Sequence, residues 1–397
     1  MSDERVLQVR VSSIVAMLAA VGAHLAVLGA LAPVLPVYVT GLGASPAQWG
    51  LLGGISGFLM IFSEPVWGWL GDRLGLRRPW LVARLGLAVG LWLLVLWPGL
   101  LAVVLWQVFT GVFESTVGVI ARGYIVRSYT PRRQTFGLSL YLVVYSACLA
   151  VGSTVGGYLF QWSGPRAGFV FTAALGTAAV VISLFLVEPP PFPAPRARPA
   201  EPPAPAHTVV NAATLILGLA ALLQFVDSRV VRSFLVLLAG ERAGLDASAA
   251  GVLFGAFSLA NVLFLALLNR FERAISLPAR VALGLAVGAV GMVVYSLARS
   301  FGGLLLAVTL DALGWAMASP ARIVLVGRLS PPSLYGWALG LHGAFENVGV
   351  LAGPLLAGAL WSLAGPSAPY AVTAVLMGIG AVVTLYLKPS PRSLRLT

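Results

Sequence analysis

Residues 68–78 read Gly68-Trp69-Leu70-Gly71-Asp72-Arg73-Leu74-Gly75-Leu76-Arg77-Arg78, a short island of charge between apolar runs at about 46–70 and 79–97. Each flanking run holds about 20 residues or more, enough to cross the ~30 Å hydrocarbon core of a bilayer as a helix. The island is too short to be a domain. It is a turn that carries the chain from one membrane span into the next.

The rest of the chain repeats this alternation. Of 397 residues, 59% are hydrophobic and only 10% charged, with a mean hydropathy of +0.94. A soluble domain carries about 25% charged residues, so this chain cannot cover a water-facing surface. Further apolar runs fall at about 12–39, 100–125, 134–160, 167–187, 209–236, 247–268, 279–297, 302–326, 334–362 and 369–387. With the first two they make twelve predicted spans. Backbone groups in lipid must be bonded within the segment, and these runs do not alternate like barrel strands, so the expected fold is an all-α integral membrane protein.

The formal charge of +12 comes almost wholly from arginine, since Lys388 is the one lysine. Nucleic-acid binding needs such charges gathered on one surface, and here they are scattered between apolar runs. With a cytoplasmic N-terminus, the inside segments hold seventeen Arg and Lys and the outside loops only Arg166, Arg242 and Arg299. The positive-inside rule then puts both termini in the cytoplasm, in a multi-pass protein of the inner (plasma) membrane. Cys148 stands alone inside an apolar run, so neither a disulfide framework nor a multi-cysteine metal site is available. Residues 1–10 are polar and the first apolar run is longer than a signal-peptide core, so no cleaved leader is expected.

Residues 188–207, EPPPFPAPRARPAEPPAPAH, hold nine prolines in twenty positions and read as an extended cytoplasmic linker. The linker separates residues 1–187 from 208–397, and the two parts answer each other at an offset near 200. Gly50 and Gly54 correspond to Gly251 and Gly255; Ala121-Arg122, Arg127, Pro131 and Gly137 correspond to Ala321-Arg322, Arg328, Pro331 and Gly336. Two pseudo-symmetric six-helix bundles are therefore expected, the layout of one large transporter class.

The 68–78 island resembles the loop signature of the major facilitator superfamily, with Leu76 in a place where that family usually has a basic residue. Residues 121–140 are similar to that family's loop between helices four and five, with Arg127 where an acid is common. Residues 335–358 are similar to its helix eleven, particularly in the drug-efflux branches. The small-residue pattern of its proton antiporters is partial in helix five, at Gly152, Gly156 and Gly157, and fuller in helix eleven, at Gly349, Gly353, Pro354, Ala357 and Gly358. The family's helix-four arginine is replaced by Gln107. The resemblance implies alternating access, a cavity lined by helices one, four, seven and ten, and a gating latch. Gly68, Asp72, Arg73, Gly75, Arg77, Arg78, Arg122, Arg322, Gly353 and Pro354 are the expected gate and latch residues, with Gly68 at a close helix approach and Asp72 facing a helix N-terminus or an arginine. Arg122 and Arg322 are expected at the cytoplasmic rim.

An ionisable side chain inside a span costs about 3 kcal/mol on insertion scales, so each is a candidate for function. Glu64, Glu114, Asp227, Asp311 and Glu346 qualify, accompanied by Arg84, Arg229 and Arg232 and by His24 and His342. Gln107, Gly111, Glu114 and Gly118 fall on one stripe of a continuous helix; Asp311, Trp315, Ala318 and Arg322 fall on another. Glu114, Asp227 and Asp311 are the best-placed proton carriers, with His24, Glu64 and Glu346 behind them. For Glu64 helix packing competes with coupling; for Glu346 a satisfied pair with His342 does. If Arg229 and Arg232 mark the outer end of helix seven, Asp227 pairs locally and carries no proton. Gln107, Phe113, Tyr145, Gln224, Phe225, Trp315 and Phe345 are candidate substrate contacts.

The expected activity is proton-coupled export of amphipathic or drug-like molecules by a monomer that needs no cofactor and no metal. Uptake or exchange of small organic anions or sugars, with arginines as ligands for the anions, is the competing reading. A membrane-embedded transferase fits less well, because the chain has only His24, His207 and His342, one cysteine and no Gly-rich phosphate loop.

Overall fold

The computed structural model describes residues 11–130, 133–190, 211–270, 275–330 and 334–387. All the elements are helices. They run α1 (Val11–Gly41), α2 (Pro46–Leu74), α3 (Arg77–Leu96), α4 (Leu100–Phe113), a π-helical turn (Val117–Ala121), α5 (Arg122–Ser128) and α6 (Gln134–Leu184), then α7 (Ala212–Ala243), α8 (Ala247–Arg270), α9 (Leu277–Leu297), α10 (Phe301–Leu329), α11 (Tyr335–Ala364) and α12 (Ala368–Thr384). Most of the proline-rich stretch, residues 191–207, lies outside the described residues, as do both termini.

Among the described residues ten helices are long and apolar enough to cross a membrane. One of these is α6, whose 51 residues are about twice what a bilayer needs. The expected runs 134–160 and 167–187 are both inside it, joined at Gly164, where φ of 77° and the following Pro165 break the helical geometry. Counting the two arms separately and adding the shorter α12 turns ten into twelve. The expected helix seven does not stop near Arg232: α7 continues to Ala243, where Gly244 caps it in the left-handed conformation. Asp227, Arg229 and Arg232 therefore sit within a span and do not mark its end.

The described residues form two compact units. One comprises Met1–Ala44, Ile55–Ala194 and Asp246–Gly255; the other comprises Ser45–Gly54, Pro195–Leu245 and Ala256–Thr397. Lipid tails are as apolar as leucine, so helices in a bilayer associate by close packing and not by the hydrophobic effect. The first unit does this where Gly152 of α6 lies on the Ala26 backbone of α1: an added Cβ would collide with the Ala26 carbonyl oxygen. The second does it where Gly353 of α11 lies on α7, where a Cβ would stand 2.9 Å from the Val226 carbonyl oxygen. Bulky apolar side chains such as Phe62, Leu85, Trp162 and Leu363 are turned outward and exposed, as a lipid-facing surface requires.

Candidate transport site

Helix four does not run unbroken. Between Phe113 and Val117 the backbone leaves the α ladder and resumes as a π turn. The carbonyls of three successive residues are met there by side chains: Gly111 by the Ser63 hydroxyl at 2.8 Å, Val112 by the Trp67 indole at 2.5 Å, and Phe113 by the Thr116 hydroxyl at 2.6 Å and the Arg84 guanidinium at 3.4 Å. Ser115 and Thr116 favour such a departure because their hydroxyls compete for backbone groups, and π bulges in helices gather at functional sites. The expected stripe from Gln107 to Gly118 is therefore cut at Glu114, which is half-buried in the break.

Arg84 itself is buried in α3, stacked over Trp80 at 4.2 Å, with Nη2 donating to Thr116 at 2.7 Å. Phe113 packs between Trp67 and Phe109, and its ring occupies the space a side chain at Gly86 would need. Those contacts are helix packing. Gln107 is buried, Tyr145 is half-buried against Tyr141, His24 is buried in α1 and Glu64 is half-buried in α2.

The latch residues occupy one end of the first unit. Asp72 faces Arg127 at 3.4 Å, and Arg73 lies over the Trp69 ring at 4.4 Å. Arg78 is exposed. Gly68 is not the close-approach glycine: a Cβ there would meet Val119 at an ordinary 3.7 Å, whereas at Gly71 it would lie 2.8 Å from Ile120. Gly75 has φ of 81°, which favours glycine, and a side chain there would strike the Glu188 carboxylate. That carboxylate accepts from the Leu76 and Arg77 amides at 2.6 and 2.9 Å, where the positive end of the α3 dipole stabilises it.

The second unit brings many of the predicted residues together. Arg322, 1% exposed, is buried within α10 and not at a rim. Its Nε donates to His342 Nε2 at 2.9 Å, its Nη2 to Glu346 at 2.9 Å, and its Nη1 to the Gln224 side-chain oxygen. Glu346 is thus paired with Arg322, and its 3.5 Å approach to His342 is secondary. Phe225 and Trp315 pack edge to face at 5.4 Å beside this cluster, with Arg322 6.0 Å from the Phe225 ring. Phe345 fills the space opposite Gly218, and Gly353 and Pro354 lie in the same helix. Arg122, by contrast, is exposed.

On the adjoining faces of α7 and α10 lies a pair of carboxyls. Asp227 and Asp311 are 1% and 2% exposed. Among the described residues neither Asp227 oxygen has a hydrogen-bond partner, and Asp311 is the neighbouring like charge. Two bare carboxylates side by side in so dry a site repel each other, and one proton on the pair relieves that repulsion. Tyr295 adjoins the pair, and the Tyr370 ring lies tilted against it at 5.4 Å, both buried. Neither tyrosine stood out in the sequence, where tyrosine near a span's end reads as an interfacial anchor.

Among the described residues, ten helices long and apolar enough to cross a membrane, a basic turn held by a carboxylate cap, and charges buried inside those helices describe a helical membrane protein. The sequence profile of the Major Facilitator Superfamily matches residues 17–217 and again 217–397, and the chain belongs to that superfamily of transporters. The chain is 31% identical over 120 residues to the tetracenomycin C resistance and export protein of Streptomyces glaucescens, covering 30% of this chain and 22% of that protein. It is 24% identical over 163 residues to the quinolone resistance protein NorA of Staphylococcus aureus, covering 41% and 42%. These stretches span less than half of the relatives' length. The crystal structure of the human organic anion transporter MFSD10 shares the fold, with a TM-score of 0.68 at 17% identity over 94% of this chain and 99% of that one.

Proposed function

We propose that this chain exports amphipathic, drug-like molecules in exchange for protons, by alternating access as a monomer in the inner (plasma) membrane with both termini cytoplasmic. Two bundles, 1–187 and 208–397, joined by the 188–207 linker, move against each other in this reading. The observation that carries it is the burial of two neighbouring acids, Asp227 of α7 and Asp311 of α10. One proton keeps the pair at a single negative charge. Removing it leaves two like charges side by side in a dry site, a state that needs either a returning proton or a cationic group on the substrate. Even the ~3 kcal/mol insertion cost of one bare charge, at ~1.4 kcal/mol per tenfold, suppresses an empty, doubly charged crossing about a hundredfold. That penalty enforces exchange. Two relatives named for resistance to tetracenomycin C and to quinolones support the export direction. The anion reading would draw on Arg229 and Arg232 of α7, since Arg322 already donates to Gln224, His342 and Glu346.

The test is efflux of a fluorescent lipophilic cation, ethidium, from proteoliposomes under an imposed proton gradient. The gradient should speed efflux at least tenfold. Asp227→Asn and Asp311→Asn should each abolish that acceleration without lowering the thermal unfolding midpoint. Unchanged acceleration in both variants would remove the pair from the mechanism, and a wild-type protein indifferent to the gradient would remove proton coupling altogether.

A further inference from the structure

The acid pair is enclosed by α7 and α10, and a proton must reach it from one face of the membrane. One turn of α9 beyond the pair stands a second feature that the mechanism above does not use. Gly291 of α9 lies against α10 so closely that a Cβ there would sit 3.1 Å from the Asp311 amide nitrogen. Tyr295 is four residues further along α9, one turn away on the same face. Its side chain leans back along the helix toward Asp311, as side chains in an α-helix do. Tyr295 lies within the electrostatic reach of Asp311, Tyr370 and Asp227.

Both tyrosines are 0% exposed, and among the described residues neither hydroxyl has a hydrogen-bond partner. A buried hydroxyl without a partner destabilises the fold, and phenylalanine would fill the same space without that cost. Beyond the tyrosines the column ends in a polar cluster. Arg242 donates to the Ser367 hydroxyl at 2.8 Å, and Ser367 donates to the Ser296 carbonyl at 2.9 Å. Ser296 adjoins Tyr295 in sequence, and Ser367 lies three residues before Tyr370. α9 finishes and α12 begins at this end of the bundle, the outer end by the distribution of basic residues.

We propose that Tyr295 and Tyr370 are proton-relay residues that connect the outer end of the α7–α12 bundle with the Asp227–Asp311 pair. The proposal rests on the proton-coupled reading above. In one passage, once movement of the bundle brings each hydroxyl within bonding distance of the next group, the Tyr295 O–H bond breaks as its proton joins a carboxylate oxygen of the pair. The phenol oxygen is reprotonated from the Tyr370 hydroxyl, which takes its own proton from the outer side. Each tyrosine is neutral before and after, and one proton has moved inward. The route is internal to one bundle, so it does not compete with a substrate for the same opening.

Two measurements test it. Time-resolved infrared spectroscopy of the detergent-solubilised full chain after a pH jump follows the carboxylic-acid band of the pair, assigned by its loss in Asp227→Asn/Asp311→Asn. Tyr295→Phe/Tyr370→Phe should slow protonation of that band at least tenfold, with an unfolding midpoint equal to or above that of the wild type. An unchanged rate overturns the relay, and so does a band slowed only in step with a lowered midpoint, since that marks a packing role. In proteoliposomes the same variant should lose most of the gradient-driven ethidium efflux while equilibrium exchange at equal pH on both sides stays within twofold. Exchange falling in parallel with driven efflux also overturns it. A wild type that ignores the gradient yet shows the slowed band in the variant would sink the export reading and leave the relay standing.

Discussion

The arginine of helix ten and the arginine at the matching place after helix four start from equivalent sequence and end in opposite environments. Arg322 is sealed inside its bundle by three side-chain partners, while Arg122 is exposed and the acid upstream of it, Glu114, sits in a break in the helix. The backbone accounts for the difference. α10 is continuous from Phe301 to Leu329, so Trp315 and Arg322 keep the Asp311 side and meet α7 and α11, while Ala318 packs on Gly284 of α9. In helix four the π turn inserts an extra residue's worth of rotation, and the residues beyond it are turned off the Gln107 face. One bundle thus concentrates its charge chemistry; the other has a bend whose freed carbonyls are held by Ser63, Trp67, Thr116 and Arg84.

The sharpest way to break this comparison is to truncate both arginines. Arg322→Ala strips Glu346 of its cation within a mostly buried site, and the expected loss is about 3–5 kcal/mol of unfolding free energy, the usual cost of breaking a buried pair. Arg122→Ala should change stability by less than about 0.5 kcal/mol, as exposed substitutions do. Adding Glu346→Gln to Arg322→Ala should recover part of the loss, since it removes the stranded charge. Equal losses at the two arginines, measured by denaturant titration in detergent, would show that the pseudo-repeat is energetically symmetric after all.

A smaller effect separates the broken helix from the continuous one. The Thr116 hydroxyl donates to a carbonyl that has lost its helical donor and also accepts from Arg84. Thr309 of α10 donates back to Leu305 at 2.7 Å, a carbonyl already inside a regular ladder. Thr116→Val should therefore cost about 1–3 kcal/mol, the penalty for an unsatisfied buried acceptor, and Thr309→Val less than about 0.5 kcal/mol. Thermal unfolding of the two variants side by side decides it. A Thr116→Val protein as stable as the wild type would mean that the break closes into a regular helix when the hydroxyl is lost.

The spans were legible because hydropathy writes them directly: apolar runs of membrane length, separated by arginines and glycines, became helices at nearly the same places. Their interruptions were less so. Gly164-Pro165 is a visible break, and the backbone does leave helical geometry at Gly164; Glu114-Ser115-Thr116 is a visible polar triplet, yet only packing against Ser63 and Arg84 turns it into a π turn. Of the candidate site, the acids Asp227 and Asp311 could be found because charge in a span is rare. Their nearness could not, since the sequence does not say which faces of α7 and α10 meet. The Arg322 cluster needs three helices in register, and only its members, not their bonds, could be named. Tyr295 and Tyr370 were invisible for a different reason: nothing in composition distinguishes a buried tyrosine without a partner from one anchored at the interface.

The finest test of the comparison lies in two helix starts that the offset of 200 makes equivalent. At the start of α2 the Ser45 hydroxyl accepts from the Gln48 amide at 3.2 Å, and the Gln48 side chain accepts from the Ser45 amide at 2.8 Å, a neutral reciprocal cap. At the start of α8 the Asp246 carboxylate accepts from the Ser248 hydroxyl at 2.6 Å and the Ala249 amide at 2.9 Å. The Ser248 bond, then the Ala249 bond, hold the Asp246 pKa below its ordinary value of 3.8. Ser45→Ala and Asp246→Ala should each cost about 1 kcal/mol at pH 7, the usual worth of a cap. Only the second should depend on acid. A depressed carboxylate stabilises the fold above its unfolded pKa, and that share fades as the pH falls through the folded value. The gap between wild type and Asp246→Ala should thus narrow below about pH 4, while the gap for Ser45→Ala stays flat. Parallel behaviour of the two gaps would mean that the cap at α8 works through its hydrogen-bond geometry alone and that the charge the second repeat carries there adds nothing.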